Sequence, residues 1–529
     1  MAKTRKRLTL ACDTCRSRRV KCDGQRPYCG PCHVRGLDCF YQQVPESPAT
    51  KVETELANVN LRLDYLTMLL SKQAEPLVGP QQSSSSALGS HEDSPFRLLA
   101  TDSIMRVLGL DDHYARGLIQ LERANLHLST TTAPQIFFIS HQQATAALAA
   151  FSERIHSYYP ILPPGFSETY FSILSGPLSP SCETCLALLV AAIGCVAHEP
   201  ATGGPYFEAA LASLPAVLAE CTLTSIQCLV FLSIYYCCLL KPCQAHDYCL
   251  IASFKIQNLF KSELSVQLDV AKSDIWILDD YIPLPNCRRT WQFPPPQAPS
   301  STLTGVSPAS VLSTDSTSTT ADQAQSFFLA EIAMRRMLHR CNSAVTCSPD
   351  GRASYAPSIA LELERQLDEW YEYLPANIRF AKETTTPGQP PDNQYGSLSN
   401  FLHVQYYCCK LSIYWPAVYQ AMQDGAASLQ LLDHCRRFVD AYIQLLPRIA
   451  YAVDDCLIYK WTLSVSFFTT TMAALKVAET PCLSDADGDQ LAHCLSAAAT
   501  VDWRGTEGSP SLQNLQNTLK SRLASRRSE

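Results

Sequence analysis

The sequence predicts a mainly α-helical protein with three parts: a small cysteine-rich module, a short coiled coil and a large all-helical domain. Three observations lead to this prediction. Six cysteines are regularly spaced between residues 12 and 39, apolar residues follow a heptad pattern between residues 52 and 70, and apolar residues recur at helical spacing from about residue 96 onward. Because the alternation typical of strands is scarce, we expect helices to pack on helices in the large domain.

The first part is organised by cysteines with the spacing C-x2-C-x6-C-x6-C-x2-C-x6-C, namely Cys12, Cys15, Cys22, Cys29, Cys32 and Cys39. Thiolates at this short spacing are typical zinc ligands. One zinc ion would use four thiolates and leave two unused. Two Zn2+ ions need eight ligand positions, which six thiolates supply if two of them bridge both metals. The symmetry of the two halves favours Cys12 and Cys29 as the bridging residues.

Two other interpretations of the six cysteines are a disulfide-bonded module and a zinc module that serves only for protein contact. The segment before Cys12 is basic rather than apolar, so we expect neither a secretory leader nor disulfides. Residues 1–41 hold ten Lys or Arg against three Asp, so their net charge is +7 and that of the remaining chain is −14. A basic module joined to an acidic body is typical of a nucleic-acid-binding protein.

The basic residues predict where nucleic acid would bind. A short helix is expected after Cys12, with Asp13 as its N-cap and with Arg16 and Arg19 on one face. The basic N-terminal arm is expected to contact phosphates or to direct nuclear import. The candidate DNA-binding residues are Arg16, Arg18, Arg19, Lys21, Arg5, Lys6 and Arg7. The module is too small to fold on apolar burial alone, so metal binding is expected to supply its folding free energy.

The cysteine spacing, the sequence CRSRRVKCD at residues 15–23 and Pro27 together resemble the fungal Zn2Cys6 binuclear cluster transcription factors. The resemblance implies that the first and fourth cysteines bridge two zinc ions. It also implies a nuclear protein whose partner is double-stranded DNA, with base contacts from Arg18 and Arg19 on short CGG-like half-sites. Many family members carry lysine where this chain has Arg19, so the resemblance does not determine the half-site triplet.

Residues 42–51 predict a linker that contains two prolines, and residues 52–70 follow it with a heptad pattern. The apolar positions of the heptads are Val52, Leu56, Val59, Leu63, Leu66 and Leu70. They match the core positions of a parallel coiled coil, although an isolated amphipathic surface helix would show the same pattern. The position directly after the basic module favours a homodimer formed through residues 52–70. Residues 71–95 are rich in Ser, Gln and Pro and predict a disordered linker.

Residues 96–477 predict a helical regulatory domain, which a Pro-, Ser- and Thr-rich disordered loop interrupts at residues 294–325. Residues 478–529 are expected to form a weakly ordered tail. Helices are expected within residues 144–155, 182–197, 223–260, 358–374, 401–422, 429–449 and 457–477. The run Leu223 to Leu240 approaches membrane-spanning length, but it contains Thr, Ser and Gln, so we expect a buried core helix.

The large domain also resembles the regulatory middle homology region of the fungal factors. Three segments carry this likeness: Thr224 to Leu259, Trp276 to Phe293 and Phe327 to Leu338. The resemblance implies a helical body that serves an effector or the transcription machinery. It is nearest to members that regulate secondary-metabolite gene clusters.

The sequence contains no Walker loop, no G-x-G-x-x-G, no G-x-S-x-G and no H-E-x-x-H motif. Isolated polar groups are expected to be solvated, to cap helices or to be buried without a metal; they are Asp111–Asp112, Asp279–Asp280, Asp454–Asp455, His198–Glu199 and the Cys182–Cys185 pair. Two functions remain. One is a zinc-dependent, sequence-specific transcription factor of the RNA polymerase II type, with no enzymatic activity. The other is a helical scaffold or enzyme whose zinc cluster is a contact module. The basic module followed by heptads favours the first.

Overall fold

The computed structural model describes residues 12–23, 28–40, 108–111, 113–124, 140–199, 202–261, 284–285, 290–293, 315–343, 355–382, 396–486 and 489–527. The chain divides into two compact units, Met1–Leu88 and Gly89–Glu529. The described residues form helices and no strand, which confirms the mainly helical prediction. The basic arm with Arg5, Lys6 and Arg7, the predicted linkers and the predicted coiled coil at residues 52–70 lie outside the described residues.

The described part of the first unit consists of two helical turns, α1 (Asp13–Ser17) and α2 (Gly30–His33). Each turn begins directly after the first cysteine of one half of the cysteine repeat. Both turns are followed by a residue in the left-handed region, Arg19 at φ 54° and Gly36 at φ 62°. The repeat in the sequence is therefore also a repeat of the backbone.

The second unit begins with eight described helices: α3 (Tyr114–Ala124), α4 (His141–Phe151, continued by a π-helical turn Ser152–His156), α5 (Phe166–Ser175), α6 (Cys182–His198), α7 (Gly204–Leu211), α8 (Leu214–Ala219), α9 (Leu223–Cys238) and α10 (Pro242–Lys261). Helix α6 is buried along most of its length and packs against α4, α7 and α9. It crosses α4 closely at Gly194, where an added Cβ would lie 2.0 Å from the carbonyl oxygen of Ala147. A glycine is needed at this crossing because any side chain would collide with backbone.

Seven further helices complete the described part of the second unit: α11 (Asp315–Ser343), α12 (Pro357–Glu372), α13 (Ser397–Asp424), α14 (Leu429–Asp455), α15 (Lys460–Glu479), α16 (Asp489–Ala498) and α17 (Pro510–Arg527), with a 3-10 turn at Pro481–Ala486. Helices α13 and α14 form a long pair joined by a short connection, and Gly425 ends α13 at φ 62°. Helices α11 and α12 pack on α13, and α15 packs on α14. One hydrophobic core runs through both helix sets.

The prediction of a weakly ordered tail at residues 478–529 is wrong. Helix α17 packs on α15 and α3, and its leucines Leu512, Leu515, Leu519 and Leu523 are all buried. Their spacing of three, four and four residues forms one apolar stripe on a helix. The basic and polar residues between them lie on the exposed side, so the composition of the segment concealed its amphipathic pattern.

The prediction of a disordered loop at residues 294–325 is wrong for its last part, because α11 begins at Asp315. The buried stripe of α11 includes Phe327, Ala330 and Met334. Alanine and glutamine at residues 321–325 are good helix formers, so they extend the helix backwards despite the Ser- and Thr-rich sequence before them. Residues 294–314 lie outside the described residues.

Residues Leu223–Cys238 of the apolar run form α9, and most residues of this helix are buried in the core, as predicted. Thr222 begins this helix with a capping box, in which its hydroxyl accepts the Ser225 amide and Ser225 accepts the Thr222 amide. Among the helices of the described residues, none combines the length and the apolar character that a bilayer crossing would need.

Candidate metal centre and nucleic-acid interface

Four thiols of the first unit meet in one buried cluster, formed by Cys12, Cys15, Cys29 and Cys32. The Sγ atoms of Cys12 and Cys15 each lie 3.6 Å from that of Cys29, and they lie 3.7 and 3.8 Å from that of Cys32. Ligands at a Zn–S bond of about 2.3 Å in a tetrahedron are about 3.8 Å apart. The cluster therefore has the spacing that a thiolate-bound zinc ion requires.

The other two cysteines approach the cluster through Cys29. The ligand atoms of Cys22, Asp23 and Cys29 lie within 4.8 Å of one another, and Cys39 Sγ accepts the backbone N–H of Cys29 at 3.3 Å. Cys29 is thus common to both groups of candidate ligands, which is the position that a bridging thiolate needs. The bridging roles of Cys12 and Cys29 stay a prediction.

Local backbone geometry presents the thiols in pairs. Cys12 precedes α1 and accepts the backbone N–H of Cys15 on its Sγ at 3.4 Å, so Cys12 takes the capping place that was predicted for Asp13. Asp13 is instead the first residue of the helix. Residues three apart lie on the same side of a helical turn, which is why C-x2-C directs both sulfurs to one point.

Each helical turn is closed by the same six-residue hydrogen bond. The Val20 N–H donates to the Cys15 carbonyl and the Leu37 N–H donates to the Cys32 carbonyl, both at 3.0 Å. This closure requires a left-handed residue just before the donor. It reverses the chain and returns the next cysteine towards the metal position.

The thiols have unequal affinities for protons. Burial raises the pKa of Cys15, Cys29 and Cys32 to about 12. Burial also acts to raise the pKa of Cys12, but the backbone N–H of Cys15 and the neighbouring thiols stabilise its thiolate and lower that pKa to about 6. Several thiolates this close repel one another unless a cation lies between them, so zinc binding is coupled to proton release.

Three of the candidate DNA-binding residues lie at the surface of this unit. Arg18, Arg19 and Lys21 are exposed, and Arg16 belongs to α1. The prediction that Arg16 and Arg19 share a helical face is wrong, because α1 ends at Ser17 and Arg19 is in the left-handed region. The helix has to end there, since Cys22 must turn back to the cluster.

Arg19 occupies a backbone position that favours glycine. The equivalent residue of the second half is Gly36, which adopts almost the same φ. A non-glycine residue pays roughly 1–2 kcal/mol for the left-handed conformation. Strained backbone positions cluster at functional sites, so Arg19 is a candidate for a role outside the fold.

Two contacts that join the halves were not anticipated from the sequence. Both carboxylate oxygens of Asp23 accept the Gly30 N–H, at 3.1 and 2.9 Å, and the Thr14 hydroxyl donates to the Asp38 carbonyl at 2.6 Å. The sequence signal for the first was an aspartate directly after the third cysteine. These bonds hold α1 and α2 in register around the thiols.

Two of the isolated carboxylates of the second unit have structural partners. Asp111 accepts the His113 N–H at 2.7 Å just before α3, as a capping residue does, and Asp455 accepts the Ser397 hydroxyl at 2.5 Å. His198 lies exposed at the end of α6, and Cys182 and Cys185 are buried free thiols. Asp112, Asp279 and Asp280 lie outside the described residues.

Residues 10–47 match the model of the fungal Zn(2)-Cys(6) binuclear cluster domain. The chain is 68% identical, over 99% of both chains, to the Aspergillus rugulosus protein ecdB, whose name marks it as a proposed transcription factor. It is 23% identical to the transcriptional activator protein acu-15 of Neurospora crassa, over 85% of this chain and 56% of the relative. Transcription factor FBD3 of Gibberella moniliformis is 48% identical over 12% of this chain and 8% of its own. No solved structure matches the chain.

Proposed function

The chain belongs to the fungal Zn2Cys6 binuclear cluster transcription factors, and on that premise we propose that it recognises paired CGG-like half-sites as a homodimer. It is a zinc-dependent DNA-binding transcription regulator, and its Zn2Cys6 domain binds two zinc ions. The observation that carries the proposal is an exposed arginine, Arg19, held in a left-handed conformation beside the thiol cluster. One such module can contact only a few base pairs, so two are needed to define a site.

Base discrimination in this proposal comes from Arg19 and Arg18, with Arg16 and Lys21 beside them. An arginine can donate two hydrogen bonds to guanine O6 and N7, which is worth about 1–3 kcal/mol of discrimination. Arg5, Lys6 and Arg7 contact phosphates in this proposal, because basic residues outside the reading module add affinity without sequence preference. Support for these roles comes from the exposure of the described basic residues and from the charge of +7 on residues 1–41.

The heptads at residues 52–70 are the proposed dimerisation element, and the linker at residues 42–51 sets the distance between half-sites. The helical body is the proposed regulatory part, through an effector or through the transcription machinery, without catalysis. The protein acts in the nucleus in this proposal. Its targets are genes of a secondary-metabolite cluster, which rests on the resemblance of the body to regulators of such clusters.

The test is selection of bound duplexes from a random library by the full-length, zinc-loaded chain. We expect two short G-rich triplets to recur at a fixed spacing, and chelation of zinc to abolish their enrichment. A chain that holds its zinc but enriches no motif would support the alternative, in which the cluster is a protein contact module. A variant that lacks residues 1–40 is the control for DNA bound by the body.

A further inference from the structure

A pocket of about 490 Å³ opens in the helical body. Its lining residues are distant in sequence from the candidate DNA-binding residues. Its wall comes from α9, α10, α11 and α15, so helices distant in sequence converge on it. Its lining is largely apolar and includes Val230, Ile234 and Phe328. This volume lies within the range of small-molecule sites, roughly 300–1,000 Å³, which occur between helices of bundles.

One buried carboxylate on this wall is incompletely satisfied. Glu331 is 7% exposed, and its Oε1 accepts Arg335 Nε at 2.7 Å and Gln405 Nε2 at 3.0 Å. Its Oε2 is buried and has no hydrogen-bond partner among the described residues. Burial of a charged acceptor without a donor is costly, so a ligand that donates a hydrogen bond here would be favoured.

A hydrogen-bond donor lies beside this acceptor. Arg335 uses only Nε in its bond to Glu331, its side chain is 45% exposed, and its guanidinium lies 5.7 Å from the ring centre of Tyr459. Its two outer nitrogens can therefore donate to a carbonyl group in the pocket. The hydroxyls of Tyr159 and Tyr459 lie on the same wall and form a hydrogen bond with each other at 2.5 Å.

From this arrangement we propose that the pocket is a ligand site for a neutral, largely apolar small molecule with adjacent hydrogen-bond donor and acceptor groups, such as a secondary amide. The ligand N–H donates to Glu331 and its carbonyl accepts from Arg335. The ion pair of Glu331 and Arg335 has no net charge, so a neutral ligand that bonds to both residues leaves the charges of this pair compensated. Its apolar part covers the side chains of α9 and α11.

The first test measures binding of Nile red, a neutral apolar dye with one carbonyl acceptor, to the full-length protein without DNA. We expect saturable fluorescence from one site. Thr462→Trp should abolish it, because Thr462 is an exposed lining residue whose replacement fills the pocket, whereas Thr462→Ser should bind as the parent does. Arg335→Met should weaken binding roughly tenfold, the effect of one hydrogen bond to a charged group.

Arg123→Met is the matched control, because Arg123 pairs with Asp247 at a similarly exposed site outside the pocket. Equal dye binding by the Thr462→Trp and Thr462→Ser variants would overturn the site. Equal effects of the two arginine substitutions would do the same, and this comparison decides the question if the tryptophan variant does not fold.

The second test addresses the ligand chemistry by displacement of Nile red with benzanilide and with its ester isostere, phenyl benzoate. The two compounds share shape and carbonyl, but only the amide has an N–H for Glu331. We expect benzanilide to displace the dye at roughly tenfold lower concentration. Equal potency would refute the donor requirement. Neither test uses DNA, so its outcome is independent of the proposed recognition of half-sites.

Discussion

Arg19 and Gly36 take equivalent backbone positions in the two halves of the metal module, yet only one of them carries a side chain. We predict that Arg19→Gly leaves zinc binding intact or strengthens it, because glycine removes the left-handed strain of roughly 1–2 kcal/mol. The same change should remove about 1–3 kcal/mol of base discrimination. Zinc content and the affinities for selected and scrambled duplexes check both parts.

Arg35→Ala is the control for Arg19, since Arg35 is an exposed arginine in the second half of the module. It should leave discrimination unchanged. Retention of full discrimination by Arg19→Gly would show that the side chain at this position does not contact bases.

Cys29 lies at the centre of the thiol groups, so its loss should affect both metal positions. We predict that Cys29→Ser reduces the zinc content of the full-length chain from two ions to none and abolishes specific DNA binding. Cys182→Ser, at a buried thiol of the helical body, should keep both ions. Retention of one zinc ion by Cys29→Ser, measured by elemental analysis, would contradict a bridging role.

His156 is a buried histidine whose ring centre lies 4.9 Å from that of Trp291 in a T-shaped arrangement. Burial lowers its pKa from 6.5 to about 4. Between pH 6.5 and pH 4 the unfolded chain therefore binds a proton that the folded chain does not, so stability falls as pH falls through this window. The full effect of one such group is about 3 kcal/mol.

We predict that His156→Phe makes the unfolding free energy of the body less dependent on pH between 6.5 and 4, as measured by denaturant titration at several pH values. His198→Gln, at an exposed histidine on α6, should keep the parental pH dependence. An unchanged slope in His156→Phe would mean that other groups cause the acid sensitivity.

At the scale of elements, the contribution of α17 to the stability of the helical body can be measured. We predict that Leu519→Ala destabilises the body by about 2–5 kcal/mol, because it removes a buried leucine between α17 and its neighbours. Lys520→Ala, the exposed next residue of the same helix, should have little effect. Thermal unfolding of the two variants checks this, and equal midpoints would show that α17 adds nothing to the core.

The same element shows what the sequence could predict. The thiol cluster was predictable because its geometry depends on spacing within 28 residues and on simple metal valence. Helix α17 was missed because its four leucines are separated by polar residues. The polar composition of the segment was given more weight than the helical spacing of its leucines. The left-handed Arg19 was missed because nothing in the local sequence shows where α1 must end.

The pocket beside Glu331 and Arg335 could not be predicted at all. The two residues are one helical turn apart, which on its own indicates an ordinary surface ion pair. The buried oxygen and the apolar cavity arise only when α9, α10 and α15 pack beside α11. Such convergence is a property of tertiary structure, and no local pattern records it.

At the scale of the whole molecule, the number of half-sites contacted depends on whether two chains associate through residues 52–70. We predict that Leu56→Lys with Leu63→Lys keeps the zinc of the full-length protein but separates the two helices, because equivalent core positions of two successive heptads would bury unpaired ammonium groups. The variant should bind a duplex with two half-sites much more weakly. It should also lose the preference for one spacing, because each module would then bind independently.

The matched control is Asn58→Lys with Tyr65→Lys, which adds the same charge seven residues apart but outside the apolar positions of the heptads. Added positive charge alone strengthens binding to DNA phosphates, so the control separates this effect from loss of the dimer. Analytical ultracentrifugation gives the mass of each variant, and duplexes that differ only in spacing give its preference. If the core variant stayed dimeric with an unchanged spacing preference, residues 52–70 would be a surface helix, and the helical body would have to supply the contact that joins two chains.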